Sequence, residues 1–135
     1  MKITSITALA ALAIMSGACV AEAAQCQTRL LTGMWVGQER NDDEYCIVQF
    51  RRSGWVVQAS CFNEDTLIST GTWNGRFTTT RDCSVSGNFD FIPTRGRKIN
   101  IVFNGTMNPR RGIMTGTMSS RGGERVRFRF VQQWN

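Results

Sequence analysis

After residue 29 the chain alternates apolar and polar side chains in short runs, punctuated by Gly, Asn, Asp and Ser, with no long stretch of helical period. A repeat of two puts successive side chains on opposite faces of an extended strand, so the pattern predicts an all-β domain. Eight strands are predicted near residues 30–39, 44–52, 55–63, 66–75, 82–92, 98–107, 112–119 and 124–134, joined by connections of meander length. Eight antiparallel strands with aromatics on one face dispose of both sheet edges by closing on themselves. The expected fold is therefore an eight-stranded antiparallel up-and-down barrel stapled by disulfides.

The second hairpin sets its own register. With Ser53-Gly54 as a two-residue turn, Cys46 falls opposite Cys61, Val48 opposite Ala59, Phe50 opposite Val57 and Arg52 opposite Trp55. One face is then almost wholly apolar. The other pairs Ile47 with Ser60, Gln49 with Gln58 and Arg51 with Val56, as a solvated side would. Directly opposed strand residues have Cα atoms about 4.5 to 5.5 Å apart, within disulfide reach. Four cysteines allow three connectivities, of which the register favours Cys46–Cys61 with Cys26–Cys83. Further along, Cys83, Val85, Phe89 and Phe91 share one face, as do Ile99, Ile101, Phe103 and Met107. A short repeat, Gly71-Thr72-Trp73-Asn74, Gly105-Thr106-Met107-Asn108 and Gly116-Thr117-Met118-Ser119, is expected to close strands before turns.

The amino terminus has the layout of an export signal. Lys2 supplies a positive start, residues 6–15 an apolar run too short to span a bilayer, and Ala21-Glu22-Ala23 a cleavage site. Residues 1–23 are thus the expected signal peptide and 24–135 a single domain, exported to the periplasm or secreted. In a competing reading Ser16-Gly17-Ala18-Cys19 is a lipobox and Cys19 a lipid anchor, the only membrane attachment foreseen. Either route leaves four cysteines in an oxidising compartment, an even number that suits two disulfides. No pair has metal-site spacing, and the chain has no histidine. That absence removes imidazole acid–base chemistry, Ser-His-Asp and Cys-His nucleophiles and His-ligated zinc together. No metal, cofactor or enzymatic activity is expected.

Leu31-Thr32-Gly33-Met34-Trp35 opens the first strand, and Arg125-Val126-Arg127-Phe128-Arg129-Phe130 lies on the last. This pairing resembles the calycin barrels, the lipocalins and avidins. The resemblance implies a ligand-holding barrel in which an arginine of the last strand, Arg127 or Arg125, packs over the Trp35 indole at one barrel end. Gly37 stands where avidins carry the Asn that contacts the biotin ureido group, so biotin itself is not implied.

Two sets of residues are candidates for function. Trp35, Phe50, Trp73, Phe89, Phe103 and Phe128 either line a cavity for a small apolar or amphipathic ligand or fill the barrel themselves. Charge marks the second set: residues 24–93 carry six basic and eight acidic side chains, whereas residues 94–135 carry nine basic and one acidic. Arg95, Arg97, Arg110, Arg111, Arg121 and Arg127, with Lys98, Arg125 and Arg129, are expected to form one basic surface for an anionic partner protein or envelope component. Nucleic acid is not expected, because the aromatics alternate to the other face. Glu39, Asp42, Asp43 and Glu44 cluster at the first turn without the spacing of a calcium loop. Glu39 with Glu64 as a glycosidase pair is disfavoured, since both fall on turns. Two functions compete: a binding barrel for a small ligand, and a protein-interaction module such as a secreted-hydrolase inhibitor or host-facing virulence factor.

Overall fold

A computed structural model describes residues 25–133. The expected signal peptide, Cys19 and Trp134 lie outside them. Eight strands, β1 (Gly33–Glu39), β2 (Glu44–Phe50), β3 (Val56–Asn63), β4 (Ser69–Thr79), β5 (Ser84–Pro93), β6 (Ile99–Asn108), β7 (Ile113–Ser120) and β8 (Arg125–Gln133), follow one another around a closed antiparallel barrel. Closure comes from β1 against β8, where Trp35 pairs with Gln132 and Gly37 with Phe130. No open edge remains in the sheet.

Alternation decides what lies inside. Trp35, Cys46, Val48, Phe50, Trp73, Phe77, Val85, Phe89, Phe103, Met107, Met114, Met118, Phe128 and Phe130 are buried, while their immediate neighbours along each strand are exposed or partly exposed. Aromatic rings occupy the middle of the barrel. Phe77 is 5.0 Å from Phe50, 5.6 Å from Phe89 and 5.5 Å from Phe103 between ring centroids, and Trp73 stacks on Phe89 at 4.3 Å. So many rings fit because glycines lie beneath them. A Cβ at Gly37 would meet the Phe130 ring at 2.3 Å, and one at Gly87 the Phe77 ring at 2.8 Å. Each ring uses the space that a side chain on the neighbouring strand gives up.

One barrel end is sealed. A single 3-10 turn, Thr28–Leu31, crosses it and buries Leu31 completely. The Trp35 indole N–H donates to the Leu31 carbonyl at 2.8 Å, and Gln132 Nε2 donates to the Thr32 carbonyl at 3.2 Å. Thr28 Oγ1 accepts from the Thr79 amide at 3.0 Å, and the Cys26 amide donates to the Arg81 carbonyl at 3.1 Å. A Cys26–Cys83 disulfide clamps the segment to the β4–β5 turn, and Cys46–Cys61 crosses β2 and β3. Both are the pairs that the register favours. Disulfides mark an oxidising, non-cytoplasmic environment. No helix among the described residues is long and apolar enough to cross a membrane.

The structure departs from expectation where backbone detail overrides alternation. In the β2–β3 hairpin the Arg51 amide donates to the Trp55 carbonyl at 2.8 Å, so the loop is Arg52-Ser53-Gly54 instead of Ser53-Gly54. Gly54, at φ 86°, sits against β4, where its carbonyl accepts from the Phe77 amide at 2.9 Å and a Cβ would strike the Phe77 carbonyl. Phe50 then pairs with Val56, leaving Val57 as the extra residue of a bulge. Parity shifts there, so Val57 is 47% exposed instead of facing the core. Trp55 is half exposed too, covered by the Arg76 guanidinium at 5.7 Å. Residues 30 and 31 belong to the sealing turn, not to β1. β4 runs to Thr79 instead of stopping at residue 75. Two of the three Gly-Thr repeats close strands, at the ends of β6 and β7, whereas Gly71 is near the start of β4.

Candidate functional site

At the end opposite the seal, the barrel opens into a cup of ≈ 350 Å³. Its walls are Trp73 from β4, Phe91 from β5, Ile101 from β6, Met118 from β7, and Val126 and Phe128 from β8. Each is an inward position of its strand, one or two steps above the filled layer. The rim carries Glu39 at the end of β1, Glu44 at the start of β2, Ser119 and Ser120 at the end of β7, and Glu124 before β8. No lysine or arginine lines the cup.

The sequence-derived aromatic set divides along the barrel axis. Trp73 and Phe128 line the cup. Trp35, Phe50, Phe89 and Phe103 are buried and fill the interior. Phe91, an aromatic that the sequence pattern also offers for a cavity, and the three glutamates complete the site. The signal for Glu44 was present: it lies two residues before Cys46 on the same strand and shares its inward parity.

Glu39 and Glu44 are held above the ordinary carboxylate range. For both, burial is the main cause, since the cup walls replace water around the charged form. Repulsion from Asp42 and Glu44 adds to the rise at Glu39, and Asp42 adds to it at Glu44. Thr70 opposes this at Glu44. Its hydroxyl is buried, lacks a partner of good hydrogen-bond geometry, and lies near enough to the Glu44 carboxylate to favour its ionised form in part. The Cys46 and Cys61 sulfurs lie within 4.8 Å of the Glu44 carboxylate, but they are bonded to each other and offer no thiolate to a metal. Among the described residues the one ion pair is Lys98 to Asp90, at 3.7 Å, so none of the rim glutamates has a salt-bridge partner.

A raised folded-state pKa binds protons more tightly in the native than in the unfolded chain. The contribution of Glu39 and Glu44 to stability is therefore fully present below the usual glutamate value of 4.5 and is lost as pH rises through their raised values. Glu44→Gln should raise the urea midpoint at pH 7 and leave it unchanged at pH 4. An equal effect at both pH values would contradict this account of the rim.

The basic side chains do not form one surface. Arg95, Arg97 and Lys98 are in the β5–β6 connection and Arg121 in the β7–β8 connection, both at the open end. Arg110 and Arg111 are in the β6–β7 connection at the sealed end. Arg125, Arg127 and Arg129 form an exposed stripe on the outer face of β8. The meander separates them, because successive turns fall at opposite ends. Arg127 and Arg129 instead share an external groove with Glu39, Asp42, Asp43 and Glu64. That groove is larger than the cup, at ≈ 840 Å³, but charged and polar side chains line most of it. Trp35 is fully buried, opposite Gln132 in the register, and neither Arg125 nor Arg127 stacks on it. Its indole is held by the Leu31 carbonyl instead.

Set against family models, curated proteins and solved structures, the chain matches none.

Proposed function

We propose that this protein is an exported, non-enzymatic binding barrel, periplasmic or secreted, that holds a small apolar or amphipathic ligand in its open end. The observation that carries the reading is the contrast between the two ends: one is plugged by Leu31 and clamped by Cys26–Cys83, the other is an apolar cup of ≈ 350 Å³. Ligand sites in small barrels are apolar concavities of about 300 Å³ or more with a few polar groups at fixed places. The cup has that form, at the lower end of the size range. Its volume suits the tail of an amphiphile or one small ring system, with the head group at the rim.

Trp73 is the natural reporter. Titrating the processed protein with short-chain lipids and aromatic compounds should shift its fluorescence saturably, and Trp73→Phe should remove most of the change. Indoles that ignore the whole set, together with native protein that carries no co-purified small molecule, would end this reading. The competing reading, a module that captures an anionic protein or envelope component, draws support from the Arg125, Arg127 and Arg129 stripe alone, since the remaining arginines are dispersed.

A further inference from the structure

We infer that the cup selects amphiphiles with a cationic head group, an organic ammonium above an apolar tail. The inference rests on the reading of the cup as a ligand site and adds the charge of what enters it. Three rim residues are glutamates, drawn from the ends of β1 and β2 and from the β7–β8 connection, so they approach the opening from separate elements. Asp42 lies close enough to repel both Glu39 and Glu44. No cation lines the cup, and none pairs with these carboxylates. Arg40, Arg125 and Arg127 line a groove outside the wall with Glu39, Asp42 and Glu124, and Arg95, Arg97, Lys98 and Arg121 are in the connections at this end but do not line the cup. Among the residues that line the cup, every charged side chain is a carboxylate.

A carboxylate head group would meet three carboxylates, with only the Ser119 and Ser120 hydroxyls as side-chain donors at the rim to replace its water. An ammonium group meets two partly buried carboxylates and one exposed one, and the Trp73 indole offers its ring below. Placing a cation there relieves the mutual repulsion of the rim, so binding displaces protons from Glu39 and Glu44. The unpaired rim lowers the stability of the empty barrel at neutral pH, and an arriving cation restores that stability.

Three ligands with the same ten-carbon tail separate the possibilities: decyltrimethylammonium, whose charge is fixed at every pH, decanol and decanoate. Each is titrated below its micellar range at pH 7.5, with Trp73 fluorescence and calorimetry as readouts. The ammonium should bind about tenfold tighter than the alcohol or better, and decanoate weakest. Glu44→Gln with Glu124→Gln should bring the ammonium to within about threefold of the alcohol and leave the alcohol unchanged. In the unmodified protein, affinity for the ammonium should fall as pH is lowered, beginning above 4.5, while affinity for decanol stays level. Equal affinity for the three heads, or tightest binding of decanoate, would overturn the charge selectivity and keep the cup as an apolar site. Failure of all three to bind would remove the ligand site itself.

Discussion

Reduction of both disulfides should cost the barrel about 7 kcal/mol, comparable to the entire 5–15 kcal/mol stability typical of a single domain. In the chain-entropy model the Cys46–Cys61 bridge, closing a separation of 15 residues, contributes about 3 kcal/mol, and Cys26–Cys83, closing 57, about 4 kcal/mol. The two losses differ in kind. Without Cys46–Cys61 the adjacent strands β2 and β3 keep their ladder, and the chain loses mainly the restriction on its unfolded state. Without Cys26–Cys83 the sealing segment is held only by its few hydrogen bonds and by Leu31. A Cys26→Ala, Cys83→Ala variant should therefore show fast amide exchange at position 83 and neighbouring turn residues, and the doubly reduced protein should lose its β circular dichroism at mild denaturant. A denaturation midpoint indifferent to reductant would refute the role given to the staples.

The second large effect is at Phe77. Its ring is fully buried, contacts Phe50, Phe89 and Phe103, and covers Gly87. Truncation to Ala should cost about 3–5 kcal/mol, because the surrounding rings are fixed by glycines beneath them and cannot collapse into the void. Phe91→Ala, at the partly exposed cup wall, should cost less than half as much. Guanidinium titrations of the two variants measure this directly. Equal losses, or a Phe77→Ala loss under about 1 kcal/mol, would show that the interior is not the filled stack described here.

Phe77 also marks the limit of what the sequence discloses. Alternation alone foretold eight strands, barrel closure and the Cys46–Cys61 register, because a period of two, short connections and opposed cysteines are local properties. The predicted end of β4 at residue 75 was an error of the same locality. Gly75-Arg76 has the composition of a turn, yet Gly75 is an inward position where a Cβ would meet Phe89 Cα at 2.4 Å. The glycine is there for the close approach of the next strand's backbone at Asn88 and Phe89, which no local pattern shows. Val57 failed for a similar reason, as the bulge that turns it outward depends on Gly54 docking against β4.

The site was less legible than the fold. Trp73 and Phe128 could be named, but which aromatics line space and which occupy it depends on height along the barrel axis, a coordinate that alternation does not carry. In the sequence Glu39 and Glu44 stand out only as part of an acidic cluster at the first turn, and Glu124 only as the one acidic residue of the closing stretch. Their convergence appears only when the barrel closes and brings β1, β2 and the β7–β8 connection around one opening. The basic surface failed in the opposite way: residues close in sequence were assigned to one face, and the meander sends them to both ends.

Methionine methyl groups give the most direct test of the open cup. Met118 is at its wall, Met107 and Met114 are buried in the interior, and Met34 is on the outer face. With carbon-13 methyl labels and decanol as the titrant, the Met118 resonance should shift and saturate with the fluorescence of Trp73, while Met34 and Met107 stay in place. A shift at Met34 or Met107 with Met118 silent would put the ligand elsewhere and contradict the account.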